Sequence, residues 1–275
     1  GRFLPGTMFG NRYRIVGLLG EGGMGEVYRA DDLELGQTVA LKFLPRGISE
    51  DDAALARLKN EVRVAREISH PNVCRVYDIG EVDGQHFFTM EYVDGEDLGT
   101  LLRRIGRVPR EKAQQLIAQL ASGLAAAHEK GVLHRDLKPG NIMVDGKGRV
   151  RIMDFGLAGF AEELRDSRGV AGTLAYLAPE TLAGQPPTAR SDVYGLGLVM
   201  YEILTGRRAY EASSLEELRR KQDESPPRRP SEFLSDVDPK LEERVTTLGR
   251  RAVQYATIEP DPDSFESDQN VGAQG

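Results

Sequence analysis

Tryptophan is absent from this 275-residue chain and cysteine occurs once, at Cys74. A lone thiol makes no internal disulfide, and no partner ligands stand near it at metal-binding spacing, so a disulfide framework and a cysteine metal site are both excluded. A reducing, cytoplasmic setting is expected. Long apolar runs are missing too. The most apolar stretch, residues 193–204, contains Glu202 and falls short of the roughly 20 residues that cross a bilayer. No membrane span is expected, which leaves a free cytoplasmic protein or the cytoplasmic part of a larger, membrane-anchored one. Positive charge is also short: 36 Lys and Arg face 43 Asp and Glu, a formal net charge of -7. That balance argues against nucleic acid as a partner, because nonspecific binding there rests on cations neutralising phosphates. The basic pieces Arg207-Arg208, Arg219-Arg220-Lys221 and Arg228-Arg229 are short and read as solvated surface. The start, Gly1-Arg2-Phe3-Leu4-Pro5-Gly6, has neither a methionine nor the apolar run of a secretory signal, and reads as a cloning remnant or an interior fragment of a longer protein.

What is present suits a folded protein with one large domain or two lobes. Residues 13–93 are strand-like and punctuated by glycine: Tyr13-Arg14-Ile15-Val16, Glu26-Val27-Tyr28-Arg29 and Thr38-Val39-Ala40-Leu41-Lys42, with further strands expected over 73–79 and 86–92. One helix interrupts them. Between residues 51 and 68, Leu55, Leu58, Val62 and Ala65 recur every three or four positions, and His70-Pro71-Asn72 ends the run. Beyond Asp94 the character turns helical, clearest over 109–130, where Leu116, Leu120, Leu124 and His128 share a face, and again over 191–205. A loop-rich stretch, 131–180, separates these two. The pattern predicts a two-lobed α+β architecture with a ligand cleft between the lobes.

Gly20-Glu21-Gly22-Gly23-Met24-Gly25 has glycines at the G-x-G-x-x-G positions, where the backbone can approach a polyphosphate closely. A dinucleotide fold shares this spacing but needs a helix directly after it, and Val27-Tyr28-Arg29-Ala30 reads as extended. A hairpin over phosphates remains. Lys42 ends an apolar strand; taken alone it would be a solvent-facing lysine, but Glu61 on the following helix offers a partner that would orient it toward α- and β-phosphates. The densest chemistry lies in His134-Arg135-Asp136-Leu137-Lys138-Pro139-Gly140-Asn141, a polar loop with apolar flanks. There Asp136 can accept the proton of an attacking hydroxyl, Lys138 can offset charge on a transferring phosphoryl group, and Asn141 can bind a divalent ion. Asp154, in Asp154-Phe155-Gly156, adds a hard oxygen ligand for Mg²⁺.

In this order these segments, with Ala178-Pro179-Glu180, make the chain similar to the eukaryotic-type serine/threonine protein kinases, bacterial members in particular, over residues of roughly 12 to 245. The resemblance implies a protein kinase fold: an extension at 1–11, a β-rich N-lobe with one regulatory helix at 12–93, a mainly helical C-lobe at 94–245, and an atypical, partly disordered segment at 246–275. It implies transfer of the ATP γ-phosphoryl group to protein Ser or Thr hydroxyls, with Mg²⁺ or alternatively Mn²⁺, and a transient homodimer for autophosphorylation of the activation loop. Gly20, Gly22 and Gly25 would cover the phosphates. Val27, Ala40 and Met143 would sandwich adenine, Met90 would be the gatekeeper, and Glu91 and Val93 would supply hinge backbone. Asp97 is similar in position to a ribose-binding acid. Lys138 and the pair Gly172-Thr173 resemble the serine/threonine class, with Thr173 bonding Asp136 and Lys138. Asp192 resembles a buried anchor of the catalytic loop.

Two further expectations concern regulation and integrity. Ser167, between Arg165 and Arg168, is the one hydroxyl between Asp154 and Gly172, and Arg135 is a ready partner for a phosphate there. Glu180 would pair in this family with the arginine of an Asp-Pro-x-x-Arg-Pro element, which this sequence lacks; Arg250 or Arg251 is expected to substitute. A catalytically silent scaffold would have lost one of Lys42, Asp136, Asn141 or Asp154, and none is lost. A small-molecule phosphotransferase would lack the segment 172–180.

Overall fold

Inward Tyr13 and Ile15 alternate with outward Arg14 and Val16, the period of a strand with one face covered, and the chain there is extended through Tyr13–Gly22 (β2). The computed structural model describes residues 1–22, 25–45, 51–155, 174–224 and 227–232, with Lys240 and Glu243. Outside the described residues lie Gly156, Ser167 and its flanking Arg165 and Arg168, Gly172, Thr173, Arg250, Arg251 and the expected disordered tail.

The first part is a six-stranded antiparallel sheet in the order β1-β2-β3-β4-β6-β5. Its strands are Met8–Phe9 (β1), β2, Gly25–Asp32 (β3), Gln37–Phe43 (β4), Val76–Val82 (β5) and Gln85–Glu91 (β6). β4 is central, and Val39 through Phe43 are all buried because both faces are covered. On one face Ala40, Phe88 and Met90 pack with Leu55, Leu58 and Val62 of the helix Asp52–Ala65 (α1). Asp51 caps that helix, its carboxylate accepting from the Ala53 and Ala54 amides at 2.9 and 3.0 Å. On the other face Ile15, Tyr28, Leu41, Phe43 and Phe87 form a second, aromatic-rich core.

The strand expected over 73–79 begins later than the alternation implied. Val73 makes only a parallel bridge to Ile152, and pairing starts at Val76. The hairpin is set by Asp83 and Gly84, both at positive φ (50° and 72°), which is the geometry of a two-residue turn matched to strand twist.

A three-stranded sheet follows: Gly95–Asp97 (β7), Ile142–Asp145 (β8) and Val150–Ile152 (β9). Around it stand the helices Leu98–Ile105 (α2), Arg110–Glu129 (α3), Pro179–Leu182 (α4), Ala189–Thr205 (α5) and Leu215–Glu224 (α6). Leu116, Leu120 and Leu124 of α3 enter the largest core together with Val199, Met200 and Ile203 of α5. α5 is apolar nearly all round and buried on most sides, as such a helix must be. Thr188 and Ser191 cap its start reciprocally, and Gly206 ends it at φ 69°. Asn72 links the two parts: its carbonyl accepts from the Ile152 amide at 2.8 Å, and its side-chain amide donates to Gln119 and to the Val150 carbonyl. Among the described residues no helix is long and apolar enough to cross a membrane.

Candidate active site

The loop from His134 to Asn141 is held from below by one carboxylate. Asp192, in the first turn of α5 and 2% exposed, accepts from the backbone amides of His134 and Arg135, both at 2.7 Å. His128, at the end of α3, meets the same carboxylate at 2.8 Å. That contact could not be read from the helical face alone. It joins the ends of two helices to the loop.

His134 is fully buried, its ring edge-on to Phe155 with centroids 4.9 Å apart. Its Nδ1 accepts from the Asp136 amide at 3.2 Å, so Nε2 carries the proton that meets the Met153 carbonyl at 2.8 Å. The ring is thereby neutral, and it spans the loop and the start of Asp154-Phe155. Burial pushes the His134 pKa below its ordinary 6.5, against the opposing pull of Asp192, Asp136 and Asp154. Folding therefore favours the neutral ring. Its stability contribution is complete above pH 6.5 and drains away as pH falls through the lowered native value. Thermal unfolding followed from pH 7.5 to 5 should show a falling midpoint, with part of that fall missing in His134→Phe; parallel curves for the two proteins would contradict it.

Asp136 sits at the loop's centre. Lys138 donates to its Oδ2 at 2.7 Å, and the Asn141 amide donates to its backbone carbonyl at 2.8 Å and to Oδ2 at 3.1 Å. Across the cleft Lys42, buried in β4, donates to Asp154 Oδ2 at 2.7 Å. Arg135 and Asp154 both lie at positive φ (67° and 60°), a conformation that costs a non-glycine residue and that surrounding contacts must hold.

The expected pairing of Lys42 with Glu61 is not formed. Glu61 on α1 takes the Arg135 guanidinium at 2.7 Å, and its second oxygen is buried with no hydrogen-bond partner among the described residues. Lys42 pairs instead with Asp154, and Arg135, expected to meet a phosphate, holds the carboxylate that Lys42 was expected to take. Which pairing forms depends on where α1 stands over the loop, and no local pattern encodes that.

The glycines lie on the hairpin of β2 and β3, Gly20 opposite Val27 and Gly22 opposite Gly25. Gly25 has no substitute: at φ 104°, a Cβ there would stand 1.8 Å from the Phe43 carbonyl oxygen. Val27 is opposite Lys42, and Ala40 is opposite Met90, which is 3% exposed. Met143 of β8 pairs with Asp97 of β7. Glu91 is tied by its side chain to Arg151 at 3.0 Å and by its amide to the Arg75 carbonyl at 2.8 Å; Val93, half-buried, follows before β7. Asp97 does something the sequence did not signal: its carboxylate caps α2, accepting from the Thr100 amide at 2.9 Å and from the Thr100 hydroxyl.

Beside the loop lies a hollow lined by Asp136, Tyr176, Leu177, Thr181 and Gly195. Tyr176 hydrogen-bonds Glu202, and Gln222 of α6 holds the Leu177 carbonyl at 2.9 Å. Glu180 accepts from Ser191 at 2.6 Å, while its other oxygen is buried without a partner among the described residues.

The protein kinase domain profile matches residues 13–256. Among named relatives, the serine/threonine-protein kinase PknH of Mycobacterium bovis is 42% identical over 211 residues, 76% of this chain and 35% of that protein. PrkC of Bacillus subtilis, also a serine/threonine-protein kinase, is 36% identical over 213 residues, 77% of this chain and 33% of the relative. The chain thus spans about a third of the length of the curated relatives it matches. Among solved structures, the PknI kinase domain of Mycobacterium tuberculosis superposes with a TM-score of 0.69 at 29% identity, covering 90% of this chain and 91% of that one. With its glycine hairpin, its polar loop and its two-lobed α+β fold in the expected order, the chain belongs to the protein kinase domain family.

Proposed function

We propose that this chain is a serine/threonine kinase acting on protein hydroxyls, and the observation that carries the reading is the arrangement at Asp136. Its carboxylate accepts from Lys138 and from the Asn141 amide, at the polar loop that the family match places in a kinase domain. A Ser or Thr hydroxyl brought up to Asp136 gives its proton to that carboxylate as its oxygen bonds to the γ-phosphorus of ATP. The bond from that phosphorus to the bridging oxygen breaks, and ADP leaves. Lys138 offsets the charge carried by the three peripheral oxygens. Lys42 would hold the α- and β-phosphates, and the glycines of the hairpin would leave the backbone open to them. The names of the relatives and the presence of Lys138 favour Ser and Thr over Tyr.

The donor set fits a hard divalent ion. With its amide nitrogen committed to Asp136, Asn141 retains a carbonyl oxygen, and Asp154 retains the oxygen that Lys42 does not use. Among the described residues no cluster of three or more His, Cys, Asp or Glu could hold a metal by itself. A sparse set of this kind suits Mg²⁺, which is commonly bound through one or two protein oxygens and substrate phosphates. Mg²⁺ bound there would neutralise charge on the phosphates. Val27, Ala40, Met90, Met143 and the backbone at Glu91 and Val93 would enclose the adenine, and the lobes would be residues 12–93 and 94–245. Asp97, already engaged with Thr100, would reach a ribose only by sharing its carboxylate. Autophosphorylation between transiently paired chains, on the cytoplasmic side of the membrane, completes the reading.

The experiment is incubation with γ-labelled ATP and Mg²⁺, with and without a generic protein acceptor, followed by phosphosite mapping. Label on Ser and Thr, with Ser167 as the expected site within the chain, is the result anticipated. No label, or label confined to Tyr, would overturn the assignment. All four residues whose loss would mark a silent scaffold, Lys42, Asp136, Asn141 and Asp154, are present.

A further inference from the structure

The segment ahead of the matched residues is built onto the outer face of the first sheet. The Gly6 amide donates to the Ile15 carbonyl at 2.8 Å, and the Ile15 amide donates to the Thr7 carbonyl at 2.9 Å, so the chain runs back along β2 from residue 7 toward residue 1. Phe3 then enters the aromatic core, its ring centroid 5.4 Å from Phe9, 5.5 Å from Tyr28 and 5.0 Å from Phe43. The Tyr28 hydroxyl collects the segment's end. It accepts from the Arg2 amide at 2.5 Å and the Phe3 amide at 3.1 Å.

That hydroxyl also donates to Glu26 Oε2 at 3.0 Å, and the Arg2 guanidinium meets the same oxygen at 3.3 Å. Arg2 hydrogen-bonds Gln85 as well. Glu26 is the residue after Gly25 and lies opposite Glu21 in the glycine hairpin. Gly25 in turn rests on the Phe43 carbonyl, and the Phe43 ring is one of those that Phe3 packs against. The first three residues therefore touch the return strand of the hairpin at Glu26 and Tyr28, and Phe3 packs on the ring of Phe43 in β4, whose carbonyl lies against Gly25.

We propose that Arg2 and Phe3, acting through Tyr28 and Glu26, are positioning residues for the nucleotide: they hold the return strand of the glycine hairpin at the height at which it covers the phosphates. The inference rests on the nucleotide reading above. It goes beyond it in giving a function to a segment that precedes the kinase match.

The test is a titration of the whole chain with a fluorescent ATP analogue, together with KM for ATP and kcat, for Arg2→Ala, Phe3→Ala and Tyr28→Phe. Tyr28→Phe keeps the ring and removes only the hydroxyl, so it guards against a simple folding defect. Each variant should raise Kd and KM for ATP about three- to tenfold, the scale of one lost hydrogen bond or packing contact, with kcat changed less than about twofold. Arg2→Lys should recover most of the loss. If the unsubstituted chain binds nucleotide and all three variants keep its Kd within about 1.5-fold, even with a lower unfolding temperature, the inference alone is overturned. If the unsubstituted chain binds none, the nucleotide reading falls and this inference with it.

Discussion

Asp136→Asn is expected to lower phosphotransfer by about 10² to 10⁴, the range for removing a positioned general base, while ATP affinity stays near that of the unsubstituted chain. The amide is nearly isosteric with the carboxylate. The bond from Asn141 to the backbone carbonyl of residue 136 survives, so the loop keeps one of its internal ties. What is lost is the acceptor for the hydroxyl proton and the anionic partner of Lys138. Asp154→Asn should behave differently. It removes a hard oxygen from the proposed cation site and the partner of Lys42, so Mg²⁺-dependent nucleotide binding should weaken first. Single-turnover transfer measured beside nucleotide titration separates the two. Wild-type phosphotransfer in both variants would rule out the kinase chemistry assigned to them.

Asp192→Ala should have the largest effect on folding. Its carboxylate is buried, and it is the acceptor for two loop amides as well as the partner of His128. Truncation strands those donors in a site that water does not reach readily. Removing one member of a buried charged network commonly costs about 3 to 5 kcal/mol, a large share of the roughly 5 to 15 kcal/mol that holds a domain folded. Denaturant unfolding of the variant should show a loss on that scale, and activity should fall with it because Asp136 hangs on the same loop. Asp192→Asn keeps one acceptor oxygen and should lose less. A loss below about 1 kcal/mol in Asp192→Ala would mean the loop is held by other contacts.

Much of the architecture was legible because it is local. The three- and four-residue spacing of Leu116, Leu120 and Leu124 marked α3, whose bounds the structure moves by one residue at each end. The extended run after the glycines argued for a hairpin, and β2 and β3 form one. The Asp-Gly turn at 83–84 carried a signal for the register of β5 that alternation alone misplaced. Less legible were contacts that a residue makes far from its own element. Asp97 looked like a ligand-binding acid and is engaged in capping α2. Phe3 sat in a stretch that read as a remnant, because nothing local tells that a phenylalanine will find three aromatic rings on a sheet formed later in the chain.

By itself the sequence determined the inventory: which charges, glycines and apolar faces exist, and in what order they occur. That is enough for a family, because residue chemistry and short-range periodicity are properties of the chain. Pairing was decided by tertiary structure alone. Lys42 meets Asp154 across 112 residues and Glu61 meets Arg135 across 74, although Lys42 with Glu61 was equally sensible as chemistry. Charge attraction depends on separation in space and on local burial, so exchanging partners between two cations and two carboxylates leaves every count in the sequence unchanged. Only the placement of α1 over the loop tells the two arrangements apart.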